Sequence, residues 1–458
     1  MRNEKRDFTK GNIVKHLIVF GLPVLFANVL QSLYGVVDML VVGRFVGDAG
    51  LAAISTASMI SFVISSLCIG ITTGGTVLAA QYRGAEDEKG QRETIGALFT
   101  MSAILSILIT VVGVAVYRPL LYVLHVPEES MEYACNYMLI ICMGTVFIFG
   151  YNAVCSILKG FGDSKGPLCF VFIATVVNVI LDVLFVGVMD MGTEGAAYAT
   201  VIAQASSFFI AILRLKRQRF IFDFRLKSFG ICSDKLKTIL KVGVPSAMQM
   251  VTVNVSYLLV TGMLNVYGVD IAAASGIGLK VNTFAGMPCW AIGQAVTAMV
   301  SQNVGADDME RVSKIVMVGV LVNVSVTAVV VCLIQIFAEN VISLFGAVSL
   351  KVLRYGTQYL RICCSFNSLI YAVMYTFDSF ATAIGNASLA MFNSILDSVF
   401  VRLIVGWTLS VCLGYGFIGI YIGQALSPAI PALIGFAYYR SGRWRKRRLI
   451  VCDKHEGQ

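Results

Sequence analysis

Charge is what this sequence is short of. Only 13% of its 458 residues are Asp, Glu, Lys or Arg, about half the 25% usual in soluble domains. A soluble enzyme of this length would need more polar groups to cover its surface. A disordered chain, a collagen and a coiled coil are excluded by the same composition. Histidine is scarce as well. None of the three lies in the middle of an apolar run, so there is no haem or zinc constellation. The 12 cysteines include no Cys-x-x-Cys, and most sit inside apolar runs, where they read as small hydrophobes of helix packing. There is no Walker A motif and no Gly-rich loop at a strand–helix junction. Hydrolysis of ATP by this chain is therefore not expected. The basic N-terminus does not read as a signal peptide, because the apolar run Leu17–Val37 is 21 residues long and no small-residue cleavage site follows it.

What the chain has is apolar length. Hydrophobic residues make up 57%, and a spanning helix needs about 20 of them in a row. Eight charge-free runs qualify directly: Leu17–Val37, Ala49–Tyr82, Thr94–Tyr117, Tyr133–Leu158, Gly195–Leu213, Val242–Val269, Val281–Ala306 and Ile315–Ala338. Four more require a charge in the membrane or a break. Gly166–Met189 holds Asp182; Tyr359–Asp378 holds Arg361; the stretch after Gly385-Asn386 holds Asp397 and Arg402. The uncharged run Leu403–Tyr439 breaks at Gly414-Tyr415-Gly416 and supplies the last helix. The expected fold is an all-α polytopic membrane protein with twelve spans. Alternate loops place 28 of the 35 Lys and Arg on one side. The positive-inside rule puts that side, with both termini, in the cytoplasm of a cell membrane. Net charge is +9, and its placement in loops, not nucleic-acid binding, accounts for it. Arg443, Arg445, Lys446, Arg447 and Arg448 of the tail read as a solvated stop signal, with contact to anionic lipid as the alternative.

The chain repeats itself. Gly21-Leu22-Pro23 opens the first helix and Gly243-Val244-Pro245 the seventh, 222 residues on. Gln81, Gly84, Ala85 and Asp87 recur as Gln302, Gly305, Ala306 and Asp308. Tyr137 and Cys142 recur as Tyr359 and Cys364, Gly162 as Gly385, Gln204 as Gln424 and Ser207 as Ser427. Asn178-Val-Ile-Leu-Asp182 is matched by Asn393-Ser-Ile-Leu-Asp397. Six helices per half means that both halves enter from one side, so a pseudo-two-fold axis along the membrane normal relates them. Parallel repeats of this kind are a transporter architecture. The expected boundaries are a cytoplasmic N-terminus at 1–12, an N-lobe at 13–215, a linker at 216–235, a C-lobe at 236–440 and a basic tail at 441–458.

Several stretches resemble the multidrug and toxic compound extrusion (MATE) family. They are GLPVLFANVLQSLYGVVDMLVVGRFVG in the first helix, AQYRGAEDEKGQR after the second, GFGDS after the fourth, NVILD in the fifth and GTEGAAYATVIAQ into the sixth. The resemblance covers nearly the whole chain. It implies two six-helix lobes in a V and cation-coupled efflux of drugs or organic cations. The acids of the N-half are similar to those of the DinF-like branch. NorM-like members carry an acid on helix 7, eight or nine residues past the Gly-x-Pro. This sequence has Val253-Asn254 there, which argues against a NorM-type site in the C-half.

The same acids stand out without the family. Ionisable groups inside a membrane are costly and are functional candidates by default. Counting 1.5 Å per residue, Asp38 lies roughly 9 Å inside the outer end of its helix, Asp182 roughly 12 Å and Thr200 roughly 8 Å. Asn178 is one turn from Asp182 on the same face. Four oxygen-bearing groups from three helices therefore reach one depth, and the family's cation site maps onto these four positions. Two poorly hydrated carboxylates cannot both ionise cheaply, which suits a proton that loads and leaves. Carboxylates with Asn and Thr oxygens also suit a hard ion such as Na⁺. H⁺ and Na⁺ both stay open as coupling ion, and no cofactor or other metal is expected.

The C-half keeps only part of this set. Asp38 maps to about Val260 and Thr200 to Ile420, so coupling is expected to be asymmetric. Lys280, Asp397 and Arg402 form a C-lobe charge cluster, read first as a structural salt-bridge group and second as a substrate or coupling contact. Asp378, near a helix end, reads as a cap or gate residue. Pro23 removes a backbone hydrogen bond and should bend the helix that carries Asp38, as a static kink or a hinge. Gln31, Tyr34, Asn152, Gln249, Asn254, Tyr257, Asn282, Met287 and Trp290 are polar, aromatic or pliable groups within spans, and they suit a cavity for flat cationic amphiphiles. The expected partners are such small molecules and membrane lipids, and the expected working unit is a monomer. The alternatives are a lipid-linked saccharide flippase, which needs a strongly cationic cavity, a membrane enzyme, which needs a His/Asp/Cys or metal constellation, and a channel, which needs no coupling acids.

Overall fold

A computed structural model describes residues 7–124, 126–217, 220–225, 228–230, 232–345, 349–447 and 449–450. Seven of the 28 inner-side charges, Arg2, Lys5, Arg6, Arg219, Lys227, Arg448 and Lys454, lie outside these residues. Among the described residues there is no strand. The helices are α1 (Ile13–Phe45), α2 (Asp48–Gly84), α3 (Glu88–Val123), α4 (Glu128–Gly160), α5 (Lys165–Asp182), α6 (Gly192–Arg217), α7 (Ser233–Asn265), α8 (Val269–Gly305), α9 (Met309–Ile336), the short α10 (Ala338–Ser343), α11 (Leu350–Cys363), α12 (Phe366–Ala383), α13 (Ala387–Ile395), α14 (Phe417–Leu426) and α15 (Ala429–Arg440). Wider π-helical turns continue α5 over Val183–Val188 and α13 over Leu396–Val405 and Thr408–Cys412.

Among the described residues ten spans are long and apolar enough to cross a bilayer, and α11 with α12, bent by 46° at their break, make an eleventh. The 37-residue α8 is long enough for the twelfth, though less apolar. The last span breaks from its predecessor where expected, at Gly414 (φ +73°) and Gly416 (φ +57°). Outer faces are apolar: α3 exposes Ile107 by 62% and Val111 by 62%, and α9 exposes Leu321 by 67%. Such faces suit lipid, and helices suit it too because every backbone group bonds within its own segment.

The chain packs as two units, whose borders differ from those of the sequence halves. One comprises Phe26–Ala247; the other comprises Asp7–Leu25 and the chain from Met248 on. Both borders fall inside a helix, two residues past the proline of a Gly-x-Pro. In the second unit the start of α1 lays Leu17, Phe20 and Val24 on Ala291, Ile292 and Ala295 of α8. Phe8 is fully buried there; its N–H donates to Gln302 Oε1 at 3.1 Å and its carbonyl accepts from Asn303 Nδ2 at 3.1 Å. In the first unit the start of α7 packs in the same way on α2. A Cβ at Gly70 would come within 2.2 Å of the Ala247 backbone, and one at Gly74 within 2.2 Å of the Ile239 carbonyl. Only glycine permits that approach. Each repeat thus supplies the other unit with the first turns of its own leading helix.

The segment between the halves is not a loose tether. Phe222 is 3% exposed, and the rings of Phe222, Phe224 and Phe229 surround Phe99 at 6.0–6.1 Å. The tail is anchored too. Trp444 is 2% exposed, stands edge-on to Phe380 at 5.2 Å and stacks on Tyr439 at 6.1 Å.

Candidate cation site and the buried charges

Asp38 sits on α1, Asn178 and Asp182 on α5, and Thr200 on α6, all within the first unit. All four are buried: Asp38 is 5% exposed, Asn178 and Asp182 0%, and Thr200 9%. Thr200 Oγ1 donates to Asp38 Oδ2 at 3.5 Å. Asn178 and Asp182 lie within reach of the Asp38 carboxyl. The structure therefore brings together the four groups that share one depth by counting. Two more join them. Tyr34, one turn before Asp38, and Tyr137 on α4 bring their hydroxyls near Thr200 and both acids. From sequence Tyr34 is a candidate cavity residue and Tyr137 a residue repeated in the second half. Its recurrence as Tyr359 was the one signal that it mattered.

The surroundings are dry. Val42, Ala53, Ile54, Ala57, Tyr137, Val186 and Ala197 belong to one buried apolar cluster. Asp38 Oδ1, both Asp182 oxygens and both amide atoms of Asn178 are buried without a hydrogen-bond partner. Unpartnered buried acceptors are expensive, and a proton or a hard cation placed among them would satisfy several at once. Among the described residues no group of three His, Cys, Asp or Glu is close enough to hold a metal ion. A cation here would therefore rest on two carboxylates plus Asn and Thr oxygens. The π turns begin directly after Asp182. Such turns recur at functional sites.

The second unit has apolar core where the first has acids. Val260 and Ile420, the counterparts of Asp38 and Thr200, are 2% and 1% exposed and share a cluster with Tyr359 and Tyr421. The two Asn-x-x-x-Asp motifs are not true counterparts. Gly162 and Gly385 take the same left-handed turn, with φ +81° and +82°. Asn178 follows its glycine by 16 residues and Asn393 by eight, so the second motif sits two turns, roughly 12 Å, nearer that end of its helix.

Arg402 and Asp397 form a buried pair at 2.6 Å, with side chains 3% and 2% exposed, and the guanidinium lies 4.4 Å over the Tyr257 ring. Lys280 is exposed and forms no ion pair with either of them. Asp378 is no exposed cap. It is 2% exposed, and its Oδ1 accepts from Asn393 Nδ2 at 2.6 Å. Pro23 lies inside a helix that continues through it.

The cavity candidates divide between the units. Gln31, Tyr34 and Asn152 belong to the first; Gln249, Asn254, Tyr257, Asn282, Met287 and Trp290 belong to the second. Gln31 is exposed. Asn152 and Asn254 turn their amides back onto their own helices, donating to the carbonyls of Ile148 and Met250. Asn282 accepts from Cys364 Sγ at 3.3 Å. Met287 is 2% exposed, a core residue. Trp290 Nε1 donates to the Tyr371 hydroxyl at 3.1 Å, and Tyr371 stacks on Tyr375 at 5.9 Å. Tyr371 and Tyr375 were not anticipated, and their i, i+4 spacing was the available signal.

Comparisons with known proteins agree with this architecture. The sequence model of the MatE family matches residues 23–184 and 245–408, one stretch in each repeat. The chain is 30% identical over 457 residues to the probable multidrug resistance protein YpnP of Bacillus subtilis, covering 97% of this chain and 99% of the relative. It is 24% identical over 455 residues to the probable multidrug resistance protein NorM of Thermotoga maritima, covering 96% and 95%. Its fold matches a crystal structure of MATE in the bent conformation with a TM-score of 0.90 at 20% identity, over 96% of this chain and 98% of that one. It also matches an outward-facing MATE family transporter with a TM-score of 0.89 at 21% identity, over 95% and 96%. With both repeats matched and a relative alike from end to end, the chain belongs to the MatE family, a family of membrane transporters and not of enzymes.

Proposed function

We propose that this chain is a secondary active exporter of drugs and organic cations, an antiporter driven by H⁺ or Na⁺. It works by alternating access between its two lobes, in a cell membrane with both termini cytoplasmic. It needs no cofactor and works as a monomer. The observation that carries this reading is the set of buried, unpartnered oxygens on Asp38, Asn178 and Asp182, in a family whose relatives are named for multidrug resistance. Among the described residues the charged side chains buried from solvent are Asp38, Asp182, Asp378, Asp397 and Arg402. Four acids against one base do not suit the pyrophosphate of a lipid-linked saccharide.

An antiporter must let cation and substrate bias one two-state equilibrium in opposite senses. A proton moving inward down 100 mV supplies about 2.3 kcal/mol, and a unit of pH adds about 1.4. One proton could then hold a neutral substrate at a gradient of several hundredfold. In vesicles with separately imposed pH and Na⁺ gradients, export of a cationic dye should respond to one of them and stop when it is dissipated. A dye flux indifferent to both gradients would remove the antiport reading.

Pro23 is the proposed hinge. It stands two residues before α1 passes from one packing unit to the other and leaves one helical carbonyl without its amide. Pro23→Ala should therefore weaken efflux while cation affinity of the purified protein stays nearly intact. Normal efflux by this variant would make the proline a matter of packing.

A further inference from the structure

The turn at Gly385 joins α12 to α13 as an antiparallel pair. Asp378 lies seven residues before that glycine and Asn393 eight after it, so the two side chains meet at equal depth. Asn393 Nδ2 donates to Asp378 Oδ1 at 2.6 Å. The remaining oxygens of the same two groups, Asp378 Oδ2 and Asn393 Oδ1, are both buried and both without a partner. Asn393 is 0% exposed and Asp378 2%. Two acceptors left over on one bonded carboxyl–amide pair are costly. A carboxylic acid offers what is lacking, one O–H donor beside one acceptor oxygen. An acid facing an amide can close two bonds, amide N–H to acid carbonyl and acid O–H to amide carbonyl.

We propose that Asp378 holds a proton on Oδ2, donated to Asn393 Oδ1, and is a second protonatable site, in the C-terminal unit and apart from Asp38 and Asp182. The balance is simple: the carboxylate takes one proton and no other bond forms or breaks. A hard metal cation fits less well, since such ions gather about six or more oxygens and this pair leaves two. Losing the proton would set a carboxylate against the amide oxygen, two acceptors face to face, and loosen the hairpin.

Few charges face this pair. Asp397, neutralised by Arg402 at 2.6 Å, is one turn along from Asn393, and the Tyr375 hydroxyl is nearly one turn back on α12. The helices packed on this stretch of α12 meet its neighbouring residues: Gly293 and Thr297 of α8 touch Tyr375 and Ser379, Asn323 of α9 bonds Thr376 and the Cys289 thiol, and the Tyr439 and Tyr438 rings of α15 lie against Phe377 and Phe380. The charges on those helices are engaged elsewhere. Asp270 meets Lys351, Glu310 meets Lys314, and Arg311 binds the Phe8 and Gly11 carbonyls. Lys280 and Arg440 are exposed.

The test is infrared difference spectroscopy of the full-length protein in lipid nanodiscs, in an Asp38→Asn/Asp182→Asn background so that the first-unit acids contribute nothing. At about pH 7 that protein should show the carbonyl band of a buried carboxylic acid, and adding Asp378→Asn should abolish it. Absence of the band before Asp378 is changed would overturn the proposal and leave the reading of Asp38 and Asp182 untouched. Should the triple variant fail to fold, Asn393→Ser decides. It keeps the acid and removes its amide partner, so the band must move; an unmoved band would overturn the pairing.

Discussion

Asp38→Asn is expected to leave the protein folded and inserted and to abolish gradient-driven efflux. The amide has the shape of the acid, and Thr200 Oγ1, 3.5 Å from Asp38 Oδ2, can donate to an amide oxygen as well as to a carboxylate. What disappears is the charge. At 5% exposure that charge carries a large desolvation cost, so its removal should not lower the melting temperature. The driving cation, by contrast, loses one of two carboxylates and cannot be held and released. Efflux should fall to the level of vesicles without protein, and Asp182→Asn should do the same. Wild-type efflux by Asp38→Asn at equal expression would end the assignment.

The other large effect is expected in the second unit. Arg402→Met should destabilise the protein by about 3–5 kcal/mol, because it leaves Asp397 buried and unpaired. The pair is 2.6 Å apart and nearly inaccessible, and the ring of Tyr257 beneath the guanidinium adds to what is lost. Asp397→Leu/Arg402→Met removes both charges and should recover most of the loss, since an apolar replacement of a buried pair is often neutral. Thermal melting in detergent checks both. Because Val260 and Ile420 stand where Asp38 and Thr200 would be, the double variant should also keep more transport than Asp182→Asn. A folded double variant as uncoupled as Asp182→Asn would refute an asymmetric site.

Helical arithmetic made much of this legible in advance. The spans follow from uninterrupted apolar length, and Asp38, Asn178, Asp182 and Thr200 follow from counting residues inward from helix ends. Counting yields height, not direction around the helix, and this is why Tyr137 was absent from the acid set while Lys280 was grouped with Asp397 and Arg402. The Asn393 motif misled because identity of residues is not identity of register: it begins eight residues after its turn where the first begins 16 after. The π turns after Asp182 and around Asp397 change the period locally, and no apolar pattern announces that. The aromatic strap on Phe99 was hidden by its charged neighbours, which made residues 216–235 look like solvated linker. The exchange of leading helix turns between units leaves no local mark either, since each half of α1 is as apolar as the other.

That exchange bears on how the chain is made. The amide of Phe8 leaves the ribosome 294 positions ahead of its acceptor, the Gln302 side chain. At about 5–20 residues per second, the wait is roughly 15–60 s. Until then, the opening turns of α1 have no surface of their own unit to rest on, and Leu17, Phe20 and Val24 must be sheltered by lipid or by the insertion machinery. The opening turns of α1 are made long before the surface they pack on, so a ribosome that stalls before α8 leaves Leu17, Phe20 and Val24 with nothing to close on.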